Sequence, residues 1–149
     1  MGMVRVFGGV AVYVVLLAAC GSSPTAPSPP SISGQWTGSY AVTSCTEPNP
    51  PTGLCASLGG GGSHTLTPSQ TGANFTGQLG IGVFSIPISG SVTGNVVTLA
   101  GSGPISVATL TVNTWRANLS GTTMSGTMTF SVFGGGQTVL VQATTSLSR

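Results

Sequence analysis

Residues 123–132 read TMSGTMTFSV. Met124, Met128, Phe130 and Val132 fall on one side of an extended chain. Ser125, Thr127, Thr129 and Ser131 fall on the other. The period is two, the repeat of a strand with one dry and one wet face, not the 3.6 of a helix. Working outward, the same alternation recurs. Val139, Val141 and Ala143 alternate with Thr138 and Gln142, and Leu110 and Val112 with Thr109, Thr111 and Asn113. Further upstream come Val97 and Leu99 around Thr98, then Phe84, Ile86, Ile88 and Val92, then Phe75 and Leu79, then His64 and Leu66, and finally Trp36, Tyr40 and Val42. The apolar side switches near Thr114, passing to Trp115, Ala117 and Leu119, and a β-bulge there accounts for the switch. Pro87 needs an edge, a bulge or an outward-facing position within its strand.

Between these eight segments lie glycine-bearing separators: GGGG (59–62), QTGAN (70–74), GIG (80–82), TGN (93–95), GSGP (101–104), SGTT (120–123) and FGGGQ (133–137). Each is read as a turn, since glycine reaches positive φ without a Cβ clash. Short turns between sequential strands favour a meander. The expected fold is therefore all-β, an eight-stranded antiparallel up-and-down barrel over residues 34–149, with a two-sheet β-sandwich as the alternative. Closure matters because charged residues, the usual guard of an open edge, make up only 3% of the chain. Alternation by itself also permits strands that span a membrane with the apolar face toward lipid.

The charge inventory is Arg5, Glu47, Arg116 and Arg149, with no Lys and no Asp. One Glu and one His, His64, supply little for acid–base or phosphate chemistry. No Gly-x-Ser-x-Gly elbow with Asp and His partners is present. The chain is read as a non-enzyme without a cofactor or metal, and the missing basic patch argues against nucleic acid. His64 is expected to be a polar residue at a loop end.

The N-terminus has a different pattern. MGMVR carries one positive charge, and residues 6–19, VFGGVAVYVVLLAA, form an apolar run too short to span a bilayer comfortably. The run leads into Leu17-Ala18-Ala19-Cys20, which resembles the lipobox of bacterial lipoproteins. The resemblance implies a signal peptide over 1–19 and acylation of Cys20, so that membrane lipid is a partner through the acyl chains. It places the protein in the bacterial cell envelope, and Gly21 after the Cys is compatible with the outer membrane rather than the inner. Residues 20–33, rich in Pro and Ser, read as an extended tether with a reach of roughly 40 Å at polyproline II spacing.

With Cys20 acylated, Cys45 and Cys55 remain, ten residues apart around a proline-rich loop. They are expected to form a disulfide worth about 2.5–3 kcal/mol in unfolded-chain entropy. Gly34-Gln35-Trp36 at the start of the first strand resembles the Gly-x-Trp opening of lipocalin-like and avidin-like barrels. That resemblance implies that Trp36 closes the barrel floor beneath an Arg, either Arg116 or Arg149. It carries over architecture and no ligand residues, because both families also use an Asp that this chain lacks. Candidate ligand-lining residues are Trp36, Tyr40, Phe84, Met124, Met128 and Phe130. The expected function is that of a lipid-anchored, non-catalytic envelope protein whose barrel binds a small apolar ligand or a partner, and a structural or adhesion module with a filled core is the alternative.

Overall fold

A computed structural model describes residues 28–149; the expected signal peptide, Cys20 and most of the expected tether lie outside the described residues. Eight strands close into an antiparallel barrel in which each strand pairs with its neighbours in sequence and β1 pairs with β8. They are β1 Trp36–Thr46, β2 Gly61–Thr71, β3 Asn74–Ile81, β4 Phe84–Thr93, β5 Val96–Ile105, β6 Ala108–Ser120, β7 Thr123–Gly134 and β8 Gln137–Ser148. The up-and-down barrel is thus the fold, and the sandwich is excluded by the β1–β8 ladder from Thr37↔Ser148 to Thr46↔Leu140.

The apolar set of each strand points inward. Leu79, Ile86, Val97, Leu110, Val112, Phe130 and Val141 are all buried. The outward set on β7 and β8 is mostly Thr, Ser and Gln, which suits water rather than hydrocarbon and removes the reading of apolar faces turned to lipid. The switch of face in β6 is a bulge between Val112 and Thr114, so that Asn113 is the extra residue and Trp115 returns to the interior. The same bulge shifts the pairing with β5 between Leu99 and Gly101, and a second bulge lies in β1 between Val42 and Ser44.

The GSGP segment departs from expectation. It lies inside β5, and the turn comes later, at Ser106–Val107, where Ser106 takes φ 54°. The glycines there serve close approach, not turning. A Cβ on Gly101 would fall 2.3 Å from the Pro87 carbonyl oxygen, and one on Gly103 would fall 3.0 Å from the Ile86 side chain. Pro87 itself points outward on β4 opposite Gln78 of β3, as a proline in a closed barrel must.

The domain also begins earlier than Gly34. Ile32 is fully buried, its N–H donates to Gln70 Oε1 (2.7 Å), and Gln70 Nε2 donates to the Pro30 carbonyl (3.1 Å). The last residues of the expected tether are therefore part of the barrel, because Ile32 is an apolar group that the floor can cover. Every core residue among the described ones falls between Ile32 and Leu147. Residues 28–149 thus hold a core of their own, the mark of an independently folding unit.

Candidate functional site

The two ends of the barrel are built differently. At the end where β1 starts and β8 finishes, Trp36 is completely buried and its Nε1–H donates to the Ile32 carbonyl (2.7 Å). Arg149 lies with its guanidinium carbon 4.7 Å from the Trp36 ring centroid and donates from Nη1 to the Ser33 carbonyl (3.0 Å). Trp36 is therefore the floor plug, and its Arg partner is Arg149. Arg116 sits instead on the outer wall, opposite Thr98 and Thr127.

At the other end β1 outruns β2. It leaves β2 at Ala41↔Gly61 but stays with β8 as far as Thr46. The chain then returns through residues 47–60, which carry one short helix, α1, Leu54–Leu58. The Cys45–Cys55 disulfide joins the end of β1 to α1, as expected from the cysteine count. Glu47 Oε1 accepts from the Cys55 N–H (2.7 Å) and the Thr52 hydroxyl (3.1 Å), which holds its carboxyl below the usual range. The loop is pinned at both ends, and α1 lies along the rim.

Beneath α1 the mouth encloses a cavity of about 400 Å³, within the usual size range for small-ligand sites. Its walls are Tyr40, Ile81, Phe84, Ile105, Leu110, Phe130 and Val132, with Leu54 and Leu58 from α1 and Val83 from the β3–β4 turn. No charged side chain lines it. The rim is also apolar: Val83 and Val107, at the tips of the β3–β4 and β5–β6 hairpins, are 92% and 94% exposed. A groove of similar volume on the outer wall, over Ser89, Gly90 and Thr98, is an open trough between strands and encloses nothing.

Of the six residues expected to line a ligand site, Tyr40, Phe84 and Phe130 meet at this mouth. Trp36, Met124 and Met128 are instead buried in the packed interior and do not reach the cavity. Alternation places all six on the inward face, Phe84 included, since it pairs with buried Ile81 and is in step with Ile86 and Ile88, but it does not say how far along the barrel the filling extends. The two leucines of α1 are not among the six; their i, i+4 spacing in LCASL, between two glycines, is the signal that marks them.

His64 overturns its expectation. It lies within β2 opposite Gly38 and Ile81, faces inward and has no exposed surface. The alternation with Leu66 had marked this face. Tyr40 lies at its edge (centroids 6.4 Å apart, planes at 72°), and Trp115 lies on its other side (6.4 Å, 37°). Tyr40 in turn meets Phe130 edge-to-face at 6.2 Å. A column thus runs from the cavity through Phe130 and Tyr40 to His64 and Trp115. Trp115 Nε1–H is satisfied by Thr145 Oγ1 (3.1 Å), but neither His64 nitrogen has a hydrogen-bond partner. Burial pushes the imidazole down to about 4, opposed only in part by the nearby main chain of Gly80. At neutral pH His64 is uncharged, with one N–H donor and one bare nitrogen acceptor. No family model matches the chain, and neither a curated protein nor a solved structure does.

Proposed function

We propose that this protein is a lipid-anchored, non-catalytic component of a bacterial cell envelope that holds a small apolar molecule in the mouth of its barrel. The observation that carries the reading is the cavity of about 400 Å³ with apolar walls under α1, at the one end of the barrel that Trp36 does not seal. Anchoring rests on the Leu17-Ala18-Ala19-Cys20 motif, whose acyl chains would fix the protein to the outer membrane, facing periplasm or exterior. The non-catalytic reading is supported by the separation of the two residues best able to move protons. His64 is buried in the barrel, whereas Glu47 is held in the loop by Cys55 and Thr52.

The second reading, a structural or adhesion module without a ligand, draws on the packed lower barrel, where Trp36, Leu66, Met124, Met128 and Leu147 are fully covered. One titration separates the two. Residues 21–149 are equilibrated with an uncharged naphthylamine dye whose emission rises in apolar surroundings. Saturable binding abolished by Leu110→Arg, which puts a charge on the cavity wall, supports the ligand reading. Emission that never saturates, or is unchanged by that substitution, favours the module without a ligand.

A further inference from the structure

A buried imidazole with both nitrogens unpartnered is an expensive feature. Buried polar groups are nearly always hydrogen-bonded, and each exception asks for a reason. The main chain of Gly80 lies beside the imidazole without reaching hydrogen-bond geometry. Tyr40 and Trp115 pack against it, and the Thr145 hydroxyl on β8 is engaged by Trp115. Charge does not supply the reason either. Arg149 is committed to the Trp36 floor and Arg116 to the outer wall, so neither faces the imidazole. No group of three or more His, Cys, Asp or Glu among the described residues gathers around a metal position.

The position along the barrel is informative. Tyr40 lines the mouth cavity on one side and lies edge-on to His64 on the other. Across β2 its ring rests on Gly62, where a Cβ would come within 3.2 Å of the ring and its hydroxyl. The ring is therefore seated against bare backbone, and Tyr40 is the residue that touches both the cavity and the imidazole.

On the strength of the ligand-binding reading above, we infer that His64 is the polar end of the mouth site, and that the ligand class is an uncharged amphiphile. Such a ligand has an apolar body in the cavity and one hydroxyl-type head that passes Tyr40 to meet the imidazole. The matching is chemical. A neutral imidazole presents one donor and one acceptor, and a hydroxyl presents both in return. A carboxylate or phosphate head would enter a site with no cation to meet it, and burial of an unpaired charge is strongly disfavoured.

The chain contains a single histidine, so its ring signals in an NMR spectrum are unambiguous. Residues 21–149 are titrated with octane and with octanol, each in competition with the naphthylamine dye. Octanol is expected to move the His64 ring nitrogens and octane to leave them in place. His64→Leu is expected to weaken octanol about tenfold, the worth of one to two lost hydrogen bonds, while octane binding stays the same or tightens. If both compounds bind but the ring signals do not distinguish them, and His64→Leu weakens neither, the assignment of His64 is overturned and the apolar cavity stands. If neither compound displaces the dye, the ligand reading itself fails and takes this assignment with it. The ring signals of the native protein decide the matter even if His64→Leu does not fold.

Discussion

The floor and the mouth of this barrel are made from the same alternating strands, yet they solve opposite problems. At the floor, a large ring, a tail residue and a terminal cation are stacked: Ile32 under Trp36, with Arg149 across its face. Each polar group there has a partner. At the mouth, a five-residue helix held by a disulfide leans over a cavity, and Val83 and Val107 project into solvent. Closure of the sheet fixes the wall but not the filling. What plugs an end is the chain that enters or leaves there. Residues 28–35 run under the floor, while the mouth has only the 47–60 loop.

The sharpest break of this comparison is at the floor. Trp36→Ala should destabilise by about 3–5 kcal/mol, read as a shift of the denaturant midpoint. If the floor were dispensable, the midpoint would barely move. Next in size is the effect of acid on the interior. His64 is held at about 4 against 6.5 in the unfolded chain. Between those values the unfolded chain binds a proton that the folded chain refuses. The stability is therefore complete above pH 6.5 and is lost as pH falls toward 4, by about 3 kcal/mol in all. His64→Leu should flatten that window. Glu47, an exposed carboxyl held low by the Cys55 N–H, acts only further down, below its ordinary value of 4.5.

Removing the mouth's brace is smaller. Cys45→Ala with Cys55→Ala should cost about 2–3 kcal/mol by the loop-closure estimate and should loosen α1, seen as faster amide exchange at Leu54–Leu58. Arg149→Ala should cost about 0.5–1 kcal/mol, the range for a cation–π contact at an exposed site. Smallest in stability is Phe84→Ala, since Phe84 is already 41% exposed. Its expected loss is under about 1 kcal/mol, while dye affinity falls severalfold. A large stability loss without any change in affinity would place Phe84 in the core instead of the site.

The wall was legible because period two is written on every strand, down to the bulge that returns Trp115 to the interior. The floor was legible through Trp36 and a choice of two arginines, though not through Ile32, whose neighbours in PSPPSIS gave no pattern. The β5–β6 turn is not legible in GSGP because glycine has two uses. At Gly101 and Gly103 it admits a neighbouring strand, and the true turn uses Ser106 at positive φ. The mouth was half legible. Tyr40, Phe84 and Phe130 are legible from alternation and residue type, but the depth at which packing stops depends on the sum of side-chain volumes around the whole barrel. No single strand encodes that sum. The buried state of His64 was visible in its alternation with Leu66 and was outweighed by the usual preference of histidine for partly wet positions.

The most direct test of one sealed and one receptive end is to map backbone amide NMR shifts of residues 21–149 as the naphthylamine dye is added. A sealed floor and a receptive mouth give saturable shifts gathered at Ile81, Phe84, Leu110 and Val132, with Ile32, Trp36 and Arg149 unmoved. Shifts centred on the floor, or none that saturate, would contradict that arrangement.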